Sequence, residues 1–164
     1  MDPADTYLLL RLGQRHVALP HIAVREVLPL PRLFRPPALP RSMAGFLNLG
    51  GAAVPVLDLA RLFGLTETAE AEAALYRHVV LLKTPLLGLL VDRVFDLVRV
   101  PTVQLRPLPE ALSLNGCAAA ELPLQDGFAH LLAPDRILLA QEAAAVHSLQ
   151  EMAQTRLAGW AEPA

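Results

Sequence analysis

Between Gly45 and Leu59 the chain reads GFLNLGGAAVPVLDL, and few folds accommodate that order of residues. Phe46, Leu47 and Leu49 form one apolar run, and Val54, Val56 and Leu57 form a second. Gly50 and Gly51 between them supply the positive φ that a tight connection requires. The pattern predicts a β-hairpin with a largely buried face. Asp58 follows, where its carboxylate can accept from the free amides of a short helix over LARLF, and Gly64 suits the stop. The expectation is a corner of a small barrel or sandwich that leads into one helical turn.

The rest of the chain repeats this texture. Tyr7–Leu12 and His16–Leu19 flank Gly13-Gln14 as two strands around a turn, while 22–28 reads equally as a helical turn or a strand. Five prolines between Pro29 and Pro40 predict an extended surface loop, because proline cannot donate to a central ladder. Segments 65–74 carry Glu67, Glu70 and Glu72 without a basic residue and read as a polar connector. Beyond it, 79–82, 86–91 and 94–100 are strand candidates, followed by a loop through Pro101, Pro107 and Pro109. From Pro134 onward Ile137, Leu138, Ala145, Leu149, Met152 and Ala153 recur at helical spacing.

The two halves resemble one another. Val24–Val27 aligns with Val91–Val94, Gly45 with Gly116, and Leu59–Leu62 with Pro134–Ile137, as a duplicated β-unit with loop insertions would. Many short strands punctuated by Gly and Pro favour barrels over a doubly wound sheet. The apolar content, 54% of 164 residues, then requires either a two-sided core or exposed partner surfaces.

Composition narrows the function. Fourteen basic residues stand against sixteen acidic ones, with a single lysine, Lys83, so no basic field exists to hold nucleic acid. The best apolar run, Val79–Val91, is interrupted by Lys83 and Pro85 and falls short of the roughly 20 residues of a spanning helix. The start, MDPADTY, lacks the character of a signal peptide. The lone Cys117 cannot form an internal disulfide, which makes a reduced cytoplasmic setting the default and a buried thiol the expected state. The five histidines have no zinc spacing, and Leu49-Gly50-Gly51 lacks the residues of a phosphate loop. Asp58, Asp92, Asp96 and Glu26 could pair as acid and base, yet their settings suggest capping or interface use. A small-ligand or catalytic barrel built on Asp58 or Asp92 is therefore the weaker alternative, and neither a cofactor nor a metal is expected.

These segments together resemble the CheW-like domain of bacterial chemotaxis adaptors. The family pattern of a glycine, an apolar pair, Asn-Leu-Arg-Gly and then Pro-Val-apolar-Asp-Leu is met in register by Gly45, Asn48, Leu49, Gly51, Pro55, Val56, Asp58 and Leu59. Val24, Glu26 and Val27 match an upstream Val-x-Glu-Val element, Gly88–Val94 a second-half signature, and Leu131–Ile137 the closing element. The resemblance runs from Thr6 to Glu142.

It implies a mainly β fold of two intertwined five-stranded SH3-like barrels with short helices and a C-terminal helix. One domain over 6–142 would hold two pseudo-repeated lobes joined near 65–75, with 143–164 as a helical extension. It also implies a non-enzymatic scaffold. The partners would be the regulatory domain of a CheA-type histidine kinase and the cytoplasmic tip of a chemoreceptor, in a cytoplasmic protein recruited to receptor arrays. By motif match, Val24, Glu26, Val27 and Gly45 would contact the kinase, and Asn48, Leu49, Gly50, Gly51, Leu90 and Val91 would border the receptor groove. Gly50 departs from the pattern, standing where the family usually has arginine. Ala133, where aspartate is frequent, is a milder departure. The first departure leaves a second expectation open, a divergent scaffold serving a pilus, surface-motility or other kinase pathway.

Overall fold

The computed structural model describes residues 4–65, 77–108, 117–125 and 127–161. Its ten strands are β1 (Ala4–Leu12), β2 (Arg15–Pro20), β3 (Val24–Pro29), β4 (Met43–Leu49), β5 (Ala52–Asp58), β6 (His78–Leu82), β7 (Gly88–Val91), β8 (Arg93–Pro101), β9 (Ala118–Leu124) and β10 (Gly127–Leu132). Two helices, α1 (Leu59–Leu62) and α2 (Ala140–Ala161), and 3-10 turns at His21–Ala23, Thr102–Gln104 and Pro134–Arg136 complete the described elements. The strands form two five-stranded sheets, ordered β8-β1-β2-β10-β9 and β3-β6-β7-β5-β4.

Exchanging β1–β5 for β6–β10, strand by strand, converts the first order into the second. Each sheet thus combines the first two strands of one half of the chain with the last three strands of the other half, which is how the two SH3-like barrels are intertwined. Details follow the same relation. Phe34 bridges Phe46 outside the main strands, and Arg106 bridges Glu121. Asp58 donates its amide to the Ser42 carbonyl at 2.7 Å, and Ala133 donates to Cys117 at 2.7 Å. The strands on either side of the 65–75 connector, β5 and β6, lie in one sheet, and the chain changes sheet at 20–24 and 91–93. The connector separates the sequence units, then, but not the sheets. Apart from Leu65 it lies outside the described residues.

The uninterrupted apolar runs of the central strands are explained by burial on both faces. In β1, Leu8, Leu10 and Leu12 join a large core shared with Val80, Leu82, Leu57 and Phe46 of the other sheet. Tyr7 and Leu9 point the other way into a smaller core with Ala18, Leu122 and Leu131. The counterpart strand β6 divides alike, with Val79 and Leu81 joining Leu47, Val54, Val56 and Leu90. The molecule therefore has one interior per barrel and a third between the barrels. This accounts for the apolar composition chiefly through a two-sided core.

Three local readings are refined. Residues 22–28 resolve into a 3-10 turn followed by strand β3. Strand pairing aligns Val24 with Leu82 and Val94 with Leu10, so under the exchange Val24–Val27 corresponds to Val94–Leu97 rather than to Val91–Val94. The C-terminal helix begins at Ala140, not Pro134, because Pro134–Arg136 forms a separate 3-10 turn. There the Glu142 carboxylate reaches back to accept from the Leu139 amide at 2.8 Å, half of a capping box.

Candidate functional site

The Gly45–Leu59 segment forms the hairpin β4–β5, with Asn48 opposite Ala53 and Leu49 opposite Ala52. Gly50 and Gly51 have φ of 60° and 95°, the paired positive values of a type I′ turn, whose twist matches that of the flanking strands. The Asn48 side-chain oxygen accepts from the Gly51 amide at 2.9 Å, fixing the turn from within. Gly45, at φ 147°, answers a different need: a Cβ there would lie 2.7 Å from the Phe34 carbonyl oxygen. Its missing side chain lets the 30–42 loop seat Phe34 against Phe46 through two backbone hydrogen bonds of 2.7 and 2.8 Å.

At the far end of the hairpin Asp58 is buried and accepts from the Arg61 amide at 3.3 Å, with Arg61 Nε 3.5 Å from its other oxygen. Gly64 donates to the Arg61 carbonyl and Leu65 to that of Ala60, closing α1 in a Schellman motif. Asp92 sits at the second sheet crossing. One oxygen accepts from the Gly13 amide at 2.6 Å and the other lies 3.7 Å from Arg77 Nε. Both acids are engaged in holding backbone.

A cleft of about 310 Å³ lies between the hairpin and α2. Phe46, Leu47, Ala53 and Ala153 give it apolar walls, and Asn48 and Arg156 place polar groups on its lining. The helix reaches β5 through side-chain amides. Gln154 accepts from the Ala53 amide at 2.8 Å and donates to the Gly51 carbonyl at 2.9 Å, while Gln150 donates to the Ala53 carbonyl at 3.1 Å.

The expected site residues do not gather in two patches. Val24, Glu26 and Val27 lie on edge strand β3 and Gly45 on edge strand β4, at opposite edges of one sheet. Of these, Glu26 is exposed, Val27 half-buried, and Val24 and Gly45 buried. Asn48, Gly50 and Gly51 are exposed and Leu49 is half-buried at the turn, whereas Leu90 and Val91 are buried in β7. Leu90 pairs with Asp58, six residues along β5 from Ala52, or about 20 Å at the strand rise. Presentation of both groups on one surface fails for the side chains of Leu90 and Val91, which fill cores instead. The sequence patterns above do not single out Gln150 and Gln154. The available signal is two glutamines four residues apart on the helical face that also carries Leu149 and Ala153, where unpaired amides would be costly.

Cys117 and His130 are buried titratable groups that stand apart from this surface. Burial pushes the Cys117 thiol up to about 12, so it stays protonated and inert. Burial lowers the His130 pKa, opposed by the His16 backbone and Glu121 and helped by the charge of Arg15. Among the described residues no group of three or more His, Cys, Asp or Glu side chains is placed to hold a metal ion, and no helix is long and apolar enough to cross a membrane.

Two intertwined SH3-like barrels, with a capped hairpin turn and open strand edges as their distinctive surface, define a class of small β modules. Residues 6–142 match the CheW-like domain, and the chain belongs to that family. It is 33% identical over 106 residues to a probable chemotaxis protein CheW of Rhizobium etli, and 30% identical over 106 residues to the chemotaxis protein CheW of Rhizobium meliloti. Each match covers 63% of this chain and 66% of the relative. The chemotaxis protein CheW of Helicobacter pylori is 28% identical over 104 residues, covering 63% of this chain and 62% of that protein. The chain thus spans slightly less than two thirds of the length of these relatives. The fold is similar to that of the scaffolding protein TtCheW from Thermoanaerobacter tengcongensis, with a TM-score of 0.72 at 19% identity over 81% of this chain and 90% of that one.

Proposed function

We propose that this chain is a non-catalytic cytoplasmic adaptor that joins the tip of a chemoreceptor to the regulatory domain of a CheA-type histidine kinase. The observation that carries the reading is the CheW-like match across 6–142, nearly the whole chain. In this reading β3 is the kinase-facing element. It pairs with β6 on one side, has no strand on the other among the described residues, and exposes Arg25 and Glu26. The turn at Asn48–Gly51 faces the receptor. Buried Val24, Leu90 and Val91 fill the cores of the sheet that carries both surfaces, and Gly45 seats the Phe34 loop.

The test is a titration of the purified chain with the cognate kinase regulatory domain and, separately, with the cytoplasmic receptor tip, both at low salt. Binding to each, with Glu26→Arg weakening only the kinase, is the expected result. Absence of kinase association in the wild type overturns the reading. Gly50 favours a second version, in which the same scaffold serves a pilus or other surface-motility kinase. Kinase binding without binding to a flagellar-type receptor would select it.

A further inference from the structure

We infer that Gln154, assisted by Gln150, is a positioning residue for the Asn48–Gly51 turn, acting as a substitute strand along the first residues of β5. Pairing of β5 with β7 covers only Val56, Leu57 and Asp58. Ala53 lies nearer the turn, beyond that ladder, and is buried. Its amide and carbonyl are met instead by Gln154 Oε1 and Gln150 Nε2. The same Gln154 amide group donates to the Gly51 carbonyl. One side chain therefore holds both a strand residue and a turn glycine.

Gly51 is also tied to Asn48 on its amide side. The turn is consequently gripped on both sides of one glycine: locally by Asn48, and from more than a hundred residues away by α2. A two-glycine turn has little conformational preference of its own, so these contacts decide its shape. Gln154 touches no proposed partner in this scheme. It sets the geometry that a partner meets.

The receptor half of this inference rests on the adaptor reading; the brace itself does not. The experiment compares the full-length wild type with Gln154→Leu, Gln154→Glu and Gln150→Leu. Amide hydrogen exchange is followed at Ala53, with Phe46, bonded to the Phe34 carbonyl, as the internal control. Gln154→Leu is expected to reduce Ala53 protection roughly tenfold, the worth of one hydrogen bond, and to leave Phe46 unchanged. Gln154→Glu keeps an acceptor for Ala53 but no donor for Gly51, so protection at Ala53 is expected to persist. Gln150→Leu is expected to leave that protection in place too.

Association with the purified receptor tip and with the kinase regulatory domain is then measured for the same proteins. Receptor affinity several-fold weaker in both Gln154 variants, with kinase affinity unchanged, supports the positioning role. Unchanged Ala53 protection in Gln154→Leu overturns the brace. Lost protection with unchanged receptor affinity overturns the positioning role. A wild type that binds no receptor overturns the receptor half of the adaptor reading and, with it, the docking consequence, while exchange at Ala53 still decides the brace. Equal weakening toward receptor and kinase assigns a general structural role and overturns specific positioning.

Discussion

At the scale of single residues, the least conspicuous side chains carry the most constraint. Gly45 has none, and the Phe34 carbonyl occupies the space where a Cβ would stand. Gly45→Ala therefore meets both an overlap and an unfavourable φ, which costs about 1–3 kcal/mol before the loop shifts. The expected outcome is a lower urea midpoint together with faster amide exchange at Phe46. His130 tests burial in another way. Among the described residues no well-formed hydrogen bond reaches either ring nitrogen, and burial outweighs a weak contact with the His16 backbone to hold its pKa below the usual 6.5. Below pH 6.5 the unfolded chain takes up the proton more readily than the native one, so stability falls as pH drops through that value. Replacing His130 by Phe is expected to flatten the decline in urea midpoint between pH 7 and pH 5.

At the scale of elements, the pseudo-twofold relation supplies natural comparisons. Asp58 caps α1, whereas its counterpart Ala133 precedes the 134–136 turn in similar backbone geometry, φ −93° and ψ 111° against −81° and 100°, with no side-chain cap. Ala133→Asp is expected to raise stability by about 0.5–1 kcal/mol, the usual worth of such a cap, measurable by thermal unfolding. The hairpin turn allows the opposite experiment. A Cβ at Gly50 would meet nothing within 4 Å, so Gly50→Arg faces only the φ of 60°, a penalty of about 1–2 kcal/mol. The variant is expected to fold, to keep its kinase affinity and to bind the receptor tip more tightly. Unchanged receptor affinity would mean that a guanidinium at this turn contributes nothing to coupling.

At the scale of the whole molecule, the shared core makes the two barrels one cooperative body. Leu10 and Leu82 come from different sheets, are fully buried, and belong to the same cluster. Leu10→Ala and Leu82→Ala are each expected to cost about 2–5 kcal/mol. Calorimetry should record a single transition for both variants. Two separated transitions would contradict the exchange of strands between units.

Much of this organisation was legible in residues. Alternation, paired glycines and proline punctuation marked the opening hairpin, β1, β2 and the first helical turn, since these signals are local and each follows from backbone preference. Strands β9 and β10 were not, because AAAELPL carries little β propensity and Pro123 argues against a central strand. The strand forms at a sheet edge, where proline is tolerated and pairing with β10 outweighs propensity. The site was legible in part. Motif spacing marked the turn, and it set Leu90 and Val91 at the border of the receptor groove, where their side chains are buried. A sequence motif does not state which face of a doubly buried strand meets solvent, and here neither does.

By itself, then, the sequence determined the class of fold, the position of the exposed turn and the family, because turn chemistry and motif register are properties of neighbouring residues. Only the tertiary structure decided which strands share a sheet, that the expected contact residues lie at separate edges and in cores, and that Gln154 grips Gly51. Those facts depend on which distant backbone groups lack partners once the sheets close, and no local pattern contains that information.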